Sequence, residues 1–471
     1  MNFCSKGIVA VSACVFLSGC VATPPDSRMV AVADMAPGSW TASKEGKSGV
    51  DRLWVQRFGD SKLTRLVEEA VTRNPDMKIA AERVQQARYA ARIAGSDGRP
   101  TANLDLTGEK RKIQFVGFPF GGSQIANSYS SEFRVNWDID LWGRVRASSS
   151  AAMADAQATE LDRKAAEASL AAEVCKAWFA LAEARQQVAL VQDSINLKKR
   201  TVEAVRDRFE RNLQEEGGTA SQLRLAQTDL ATTMATLSER QGELEAAQRR
   251  LELLVGRYPA GKVIGRAVLP KMPSKVPSGV PSGLLQRRPD VISAERRFAA
   301  AGMRLKEAKL AVFPVFSLTG TTGTSTDSLI KVVDSDFGVW SLSGNLSQAI
   351  LTGGVLTAER DSRASKEREE LANLQQTVLK AFGEVENALA AEKWLKRRIT
   401  ELEKANKLAK EAAESADQDY RDSTGDVLTL LETQGRKIDI ASQLVRLKRL
   451  QLDNRVDLHL ALGGGFYLSG K

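Results

Sequence analysis

The chain has 471 residues, with 67 lysines and arginines against 58 aspartates and glutamates, and a formal charge of +9. Charges of both signs are mixed along the chain and no basic block is interleaved with aromatics, so nucleic-acid binding is not expected. No Cys/His metal spacing and no phosphate-binding Gly loop is present, so no catalytic residue, metal site or cofactor is predicted, and an enzyme has the least support. The single histidine, His459, and Cys175 both lie in helical patterns, and His459 is expected to be a packing or interface residue and Cys175 a small buried core residue.

The N-terminus has the features of an export signal. Lys6 supplies a positive charge and residues 7–17 form an apolar stretch. Leu17-Ser18-Gly19-Cys20 then resembles the lipobox of bacterial lipoproteins, so residues 1–19 are predicted to be a signal peptide and Cys20 to carry acyl chains, palmitate among them. An ordinary signal peptide with a chance cysteine is the alternative. Val21 stands where an Asp retains some lipoproteins at the inner membrane, which favours the outer membrane of a Gram-negative bacterium.

The segment after Cys20 is predicted to be an extended tether. Pro24, Pro25 and Pro37 disfavour regular structure over residues 20–50. No apolar run of eighteen or more residues follows the signal, so no transmembrane helix is predicted.

The remainder of the chain consists of two similar halves. Nine residues recur without a gap 214 positions later. They are Arg73, Pro75, Asp76, Ala80, Arg83, Ala87, Pro100, Leu104 and Thr107, repeated as Arg287, Pro289, Asp290, Ala294, Arg297, Ala301, Pro314, Leu318 and Thr321. This period is too long for a solenoid and indicates structural repeats over residues 51–260 and 284–465, joined by a Pro-rich linker over 261–283. Residues 466–471 form a C-terminal tail.

Each repeat contains a predicted strand hairpin, at about 101–141 and at about 314–347. The predicted strands are residues 102–110 and 133–141 in the first hairpin, across a loop at 115–128, and residues 315–322 and 338–346 in the second. Residues 133–141 alternate apolar and polar without a break. Strands of about 9–11 residues with one apolar face are typical of an outer-membrane barrel wall, and a soluble hairpin with one wet face is the alternative.

A very long helix is predicted after each hairpin. These helices cover about 150–213 and 355–421, and each is followed by a Gly-containing turn and a further helix. Apolar residues recur at alternate steps of three and four over residues 371–420, with Glu392 as one of two interruptions, and over residues 223–254. Such a sustained repeat predicts left-handed coiled-coil packing, and the many alanines allow close approach.

Four strands do not close a barrel, and open strand edges are not tolerated in lipid. Several copies of the chain are therefore expected to complete one barrel. The helices are expected to continue it as a second, α-helical wall.

Three stretches resemble a known family. They are Asp138-Ile-Asp-Leu-Trp-Gly-Arg144, then Arg287-Arg-Pro-Asp-Val-Ile-Ser-Ala-Glu295 running on to Phe313-Pro314 and Ser317-Leu-Thr-Gly320, and Ala461-Leu-Gly-Gly-Gly-Phe466. In these the chain resembles the TolC-type outer membrane efflux proteins, in their OprM/NodT-like lipoprotein branch, over essentially the whole mature sequence.

The resemblance implies a fold of α plus transmembrane β, in which a homotrimer closes a twelve-stranded β-barrel above a long coiled-coil α-helical barrel. It also implies a passive exit duct of a tripartite multidrug efflux system, anchored in outer membrane lipid with a large periplasmic part. The implied partners are a periplasmic adaptor (membrane fusion) protein and an inner-membrane pump of the resistance-nodulation-division type.

The resemblance also implies a gate at the periplasmic end of the duct. In the family a stretch of type Leu-Thr-x-Leu-Asp begins the last helix and constricts the closed duct. Here the stretch is Leu428-Thr429-Leu430-Leu431-Glu432, so the resemblance implies that Leu428, Thr429 and Glu432 form the gate, with Glu432 in the acidic position. Threefold symmetry makes each residue into a ring.

The resemblance places adaptor docking at the two helix-pair turns, Gly217-Gly218 and Ser423-Gly425. The Gly that is usual three residues after the aromatic Tyr420 is Ser423 here. An acidic position common after the first turn falls on Gln222 or on Arg224, so an ionic latch between the halves is not expected.

Two other classes of function remain open from the sequence. A coiled-coil lipoprotein that acts as a periplasmic spacer explains the tether and the heptads but not the alternating strands. A duct for protein secretion driven by an ABC system shares the architecture, and the sequence does not identify the cargo.

Overall fold

The computed structural model describes residues 23–42, 54–114, 122–211, 218–276, 279 and 281–464. Cys20 and Gly217, predicted to be a lipidation site and part of a docking turn, lie outside these residues. The chain divides into two compact units. One includes Arg88–Ala154 and Ala299–Glu367, which contain the strands, and the other includes Ser27–Ala87, Asp155–Phe298 and the chain from Arg368.

The two repeats contain the same elements in the same order. The first has helices α1 (Ser61–Arg73) and α2 (Pro75–Ser96), strands β1 (Thr101–Gln114) and β2 (Ser123–Ile139), and helices α3 (Arg144–Glu210) and α4 (Ala220–Val255). The second has helices α5 (Pro281–Leu284) and α6 (Pro289–Leu310), strands β3 (Val315–Thr326) and β4 (Gly338–Ser347), and helices α7 (Val355–Arg421) and α8 (Val427–Ala461). Helices α3 and α7 have 67 residues each, or about 100 Å at about 1.5 Å per residue. The prediction of two homologous halves is confirmed.

The four strands form one antiparallel sheet in the order β1-β2-β3-β4. The pairing of β2 with β3 joins the hairpins of the two repeats. One register row runs through Leu104, Phe133, Thr322 and Trp340, so these side chains share a face. Strands β1 and β4 are the two edges of the sheet.

The strands of the first hairpin are longer than predicted. Strand β2 begins at Ser123. The prediction of a loop over 115–128 is therefore wrong for residues 123–128, which belong to the strand. The strand ends at Ile139 because the next residue, Asp140, caps helix α3: its carboxylate accepts hydrogen bonds from the backbone nitrogens of Val145 (3.2 Å) and Arg146 (2.9 Å). The pattern missed the extension because most of the added residues are polar and do not alternate with apolar ones.

The heptad prediction for helix α7 is confirmed. Its buried residues in the helical unit follow the predicted spacing of three and four. They are Leu374, Val378, Ala381, Val385, Ala388, Leu395, Ile399, Ala409, Ala413, Ala416 and Tyr420, with Phe382 and Leu389 beside them. The interruption at Glu392 has a physical reason, because its carboxylate accepts a hydrogen bond from Nε of the buried Arg455 at 2.6 Å. An ion pair therefore replaces an apolar contact at this one layer.

Part of the predicted tether is packed rather than extended. Residues Met29–Met35 form a 3-10 helix, and Val32 and Trp40 are buried among the apolar residues of the second repeat. The indole nitrogen of Trp40 donates to the carbonyl of Gly279 at 3.1 Å, and the ring lies edge-on to Phe382 at 6.0 Å. The proline content indicated an extended chain but did not reveal these two anchors, so the extended prediction is wrong for this stretch.

His459 and Cys175 are packing residues, as predicted. His459 has no exposed surface, and its ring stacks on Trp54 with centroids 5.4 Å apart. Cys175 is buried in the core of the first repeat, and burial raises the pKa of its thiol. Within the described ranges, no helix combines the length and apolar character needed to cross a bilayer.

Candidate functional site

The turn between α7 and α8 is a tight hairpin with one strained residue. The backbone nitrogens of Thr424 and Gly425 both donate to the carbonyl of Asp419, at 2.9 and 3.0 Å. A Cβ on Gly425 would lie 2.9 Å from that of Asp419, so this position requires glycine. Ser423 has a φ of 59°, in the left-handed region that favours glycine. Ser423 thus adopts the left-handed backbone conformation that glycine usually supplies in such a turn.

Asp426 caps the start of helix α8 and binds the side chain of Thr429, one of the predicted gate residues. Its Oδ1 accepts from the backbone nitrogens of Leu428 (2.7 Å) and Thr429 (3.0 Å), and its Oδ2 accepts from the Thr429 hydroxyl (2.8 Å). These bonds, led by the one from the Thr429 hydroxyl, hold the pKa of Asp426 below its usual value. Thr429 therefore fixes the helix start rather than projecting a free hydroxyl.

Leu428 and Glu432 lie four residues apart on one exposed face of α8. Leu428 is 58% exposed, while Val427, Leu430 and Gln434 on the opposite face are buried. The Glu432 carboxylate pairs with the Arg436 guanidinium at 2.8 Å. The sequence analysis missed Arg436, although its spacing of four residues on a helix signals the pair. The acidic position is thus partly neutralised within its own helix.

A small apolar cluster joins the two helix pairs next to this face. It takes residues from the end of α3, the start of α4, the end of α7 and the start of α8. The buried members are Val202, Val205, Ala226, Ala416, Tyr420, Val427 and Leu430. The two turns are consequently coupled, because a shift of the α7–α8 turn disturbs the packing of α3 and α4.

Arg208 holds the same region by a contact that sequence reasoning did not find. Its guanidinium lies over the ring of Tyr420, 4.0 Å from the centroid, and donates to the Tyr420 carbonyl and to the Ser423 hydroxyl (3.4 Å). Burial raises the pKa of Tyr420, and the Arg208 charge opposes that rise. This helix-end carbonyl has no partner inside the helix, and the guanidinium adds to the bond that it accepts from the backbone nitrogen of Ser423 at 3.3 Å. We call these three residues the Arg208 clamp.

Gln222, at the position where an acidic residue is common, forms part of the cap of helix α4. The Gln222 side-chain oxygen accepts from the backbone nitrogen (3.1 Å) and the hydroxyl (2.6 Å) of Thr219, which completes a capping box. Gly218 directly precedes this cap. The nearby ionic contact instead joins Lys198 of α3 to Asp229 of α4 at 2.8 Å. This ion pair joins α3 and α4 within the first repeat, nine residues after the start of α4 at Ala220.

A charged layer on α8 is expected to make stability depend on pH. Burial is the main reason that the pKa of Asp453 rises to about 6, with Asp457 and Glu183 adding to the rise and Arg449 and Lys176 opposing it. A carboxyl whose pKa is higher in the folded than in the unfolded chain adds stability below about pH 4, and that contribution is lost as the pH rises through about 6.

Asp453→Asn should therefore flatten this dependence. We expect the variant to gain roughly 2 kcal/mol over the wild type at pH 8 and little at pH 4, in denaturant unfolding followed by circular dichroism. Asp417→Asn, which alters an exposed pair on α7, is the control. An equal gain for Asp453→Asn at both pH values would show that burial of this carboxylate carries no penalty.

The duplicated chain, the long coiled-coil helices and the sheet with one apolar face define a subunit of an outer membrane channel. A model of the outer membrane efflux protein family matches residues 66–257 and 280–464. This chain belongs to that family. It is the outer membrane channel of a tripartite efflux system, in which a periplasmic adaptor and an inner-membrane pump are the other components.

Relatives and solved structures agree over nearly the full length. The chain is 27% identical over 473 residues to the pyoverdine export outer membrane protein OpmQ of Pseudomonas aeruginosa, covering 98% of this chain and 97% of that protein. It is 25% identical to the cation efflux system protein CusC of Escherichia coli, covering 95% and 97%. The solved outer-membrane channel OprN superposes with a TM-score of 0.86 at 26% identity, covering 94% and 99%. The open state of the Neisseria gonorrhoeae MtrE outer membrane channel gives 0.79 at 25% identity, covering 94% and 97%.

Proposed function

We propose that three copies of this chain close one twelve-stranded barrel and form a passive duct from the periplasm to the exterior. The observation that carries the proposal is the sheet itself, whose apolar face is bare and whose two edges are open. Trp340 is 80% exposed and Leu342 68% exposed on that face. In lipid such a face is stable, but open edges are not, so β1 of one copy pairs with β4 of the next. The number three rests on the family resemblance.

We also propose that Cys20 carries the lipid and that the packed segment after it links the anchor to the body. Glu386 supports this link, because its two carboxylate oxygens accept from the backbone nitrogens of Thr41 (2.6 Å) and Ala42 (2.8 Å). The segment is therefore attached to the middle of helix α7. The acyl chains and this attachment together fix the subunit at the outer membrane.

The gate is proposed at Leu428 and Glu432. Both side chains project from the exposed face of α8, opposite the apolar cluster that fixes the helix. In a trimer they give one apolar and one acidic ring at the periplasmic end, and the pair with Arg436 lowers the net charge of the acidic ring. The Arg208 clamp keeps the turn in place while the gate is closed.

The adaptor is proposed to dock at the two turns, around Gly217-Gly218 and Ser423-Gly425, and the pump is proposed to be of the resistance-nodulation-division type. Relatives are named for different cargoes: pyoverdine for OpmQ, cations for CusC, and toluene for the efflux pump outer membrane protein TtgC of Pseudomonas putida. Since one duct architecture serves these different cargoes, we propose that the pump and the adaptor select the cargo and that this chain conducts it.

Glu432→Ala is expected to raise single-channel conductance several-fold and to reduce cation selectivity, because it removes a ring of carboxylates from the constriction. Arg436→Ala should act oppositely on selectivity, since it removes the cation that pairs with Glu432. Both are measured in planar bilayers, with vancomycin sensitivity of cells as a second readout. Glu401→Ala, which breaks an exposed pair with Lys404 on α7, is the control. A correctly assembled Glu432→Ala channel with unchanged conductance and selectivity would remove this residue from the gate.

A further inference from the structure

The two faces of the sheet differ in charge in an informative way. The register assigns to one face the even positions of β1, β3 and β4 and the odd positions of β2. This face contains the apolar residues Leu104, Phe133 and Trp340, and we call it the apolar face. Its only charged residues, among the strand positions that the structure describes, are Lys110 and Lys112. All strand carboxylates lie on the opposite face.

The two lysines lie beyond the last apolar residue of β1 on this face. The last apolar residue of β1 on this face is Leu106, and Lys110 follows four residues later, about 14 Å along the strand at about 3.4 Å per residue. Their cross-strand neighbours are Asn127 and Ile125. They are thus at the end of the sheet that is joined by the hairpin loop, opposite the end where β1 follows helix α2.

Among the strand residues that the structure describes, neither lysine has a neutralising carboxylate on its own face. Glu109 and Asp105 alternate to the opposite face, where the Glu109 carboxylate pairs with Arg111 at 2.7 Å. Both lysine side chains are exposed. Strand β4, which would pair with β1 in the closed barrel, contains no charged residue at all. Two ammonium groups without a carboxylate partner on this face therefore lie next to the apolar face, on the side of the hairpin loop.

We propose that Lys110 and Lys112 bind the phosphate groups of phosphorylated glycolipid headgroups in the outer leaflet. The inference rests on the proposed barrel, since it requires the apolar face to contact lipid with the hairpin loop outward. A phosphorylated glycolipid has both parts of the matching chemistry: acyl chains for Leu104 and Leu106, and phosphate groups at the depth of the lysines. Ammonium groups on long apolar stems reach such phosphates while the stems cover apolar surface.

The same lysines set the depth of the barrel in the bilayer. Each copy contributes one such pair, so a trimer has three sites spaced around its circumference. An anionic lipid held at each site keeps the row of Leu104, Phe133 and Trp340 below the headgroups, within the acyl layer. The lysines are thus a lipid-recognition site, separate from the gate and from the conducting lumen.

The test uses the full-length channel in nanodiscs of zwitterionic phospholipid with a fluorescent, twice-phosphorylated lipid A as the titrated probe. The wild type is expected to bind it saturably, and Lys110→Gln combined with Lys112→Gln to weaken binding at least tenfold. Lipid A that lacks both phosphates should bind to the wild type as weakly as twice-phosphorylated lipid A binds to the double variant. Arg111→Gln, one residue away on the opposite face, is the matched control and should bind normally.

Two results would overturn the proposal. One is equal binding of lipid A by the wild type and the double variant. The other is weak binding by the double variant that comes with a loss of trimer thermal stability, where Asp336→Asn reproduces both effects, because the lysines would then pair with a loop carboxylate of the neighbouring copy. Single-channel conductance is recorded in the same samples. Normal conductance with lost lipid A binding is the expected outcome for the double variant, whereas a wild type that conducts nothing refutes the barrel itself.

Discussion

Gly323→Ala is expected to abolish insertion of the channel into the outer membrane. A Cβ at this position would lie 1.9 Å from the carbonyl oxygen of Ser131 and 2.9 Å from the Cα of Glu132, and both of these are backbone atoms. Because backbone cannot rotate away, β3 must separate from β2. This is the pairing that joins the two repeats, so its loss opens the sheet within each subunit, and open edges in lipid leave several polar groups unsatisfied. Heat-modifiable trimer bands and outer-membrane fractionation measure the effect.

Gly320→Ala provides the matched control on the same strand. Its added Cβ would meet only a methyl carbon of Leu342, at 3.7 Å, which is an ordinary contact. We expect this variant to assemble at wild-type levels. Normal trimers from Gly323→Ala would mean that β2 and β3 do not approach as closely in the membrane as they do in this sheet.

Arg208→Ala is expected to produce a leaky channel by releasing the α7–α8 turn. It removes a buried guanidinium from the Tyr420 ring and leaves the Tyr420 carbonyl without this donor, at about 1–3 kcal/mol per subunit. The effect recurs in each copy around the axis, so the closed state should lose several kcal/mol. We expect single-channel conductance to rise by about tenfold and vancomycin sensitivity to increase.

Two variants separate the clamp from a general loss of charge or stability. Arg206→Ala removes an exposed arginine two residues earlier on the same helix and should leave conductance unchanged. Arg208→Lys keeps the charge but lacks the planar group that stacks and donates together, so it should restore only part of the closed state. If a correctly assembled Arg208→Ala channel conducts no more than the wild type, the Arg208 clamp stabilises the fold but does not hold the gate closed.

Much of the architecture could be predicted from residue patterns. The recurrence of nine residues revealed the duplication, and the heptads identified the buried residues of α7, because both signals extend over many turns. Residues such as Leu374 and Val378 follow from periodicity alone. Strand ends were predicted less well, since most of the residues added to β1 and β2 are polar and do not alternate with apolar ones.

The candidate site was only partly predictable. Leu428 and Glu432 were predicted through the family resemblance, and both are exposed on one face of α8, but their role in a gate stays a prediction. Arg208 was not found, because its contacts with Tyr420 and Ser423 cross 212 and 215 positions of the chain. Local sequence patterns do not encode contacts between elements so far apart. The same reason explains why the burial of Trp40 was missed.

The central claim is that open-edged sheets from several copies join to enclose one water-filled pore. Conductance of the purified, folded protein in a planar bilayer tests it most directly. Uniform single-channel steps, given only by the oligomeric fraction and absent from Gly323→Ala, are the predicted result. A stable protein that inserts into the bilayer but never conducts, or one whose monomers conduct alone, would contradict it.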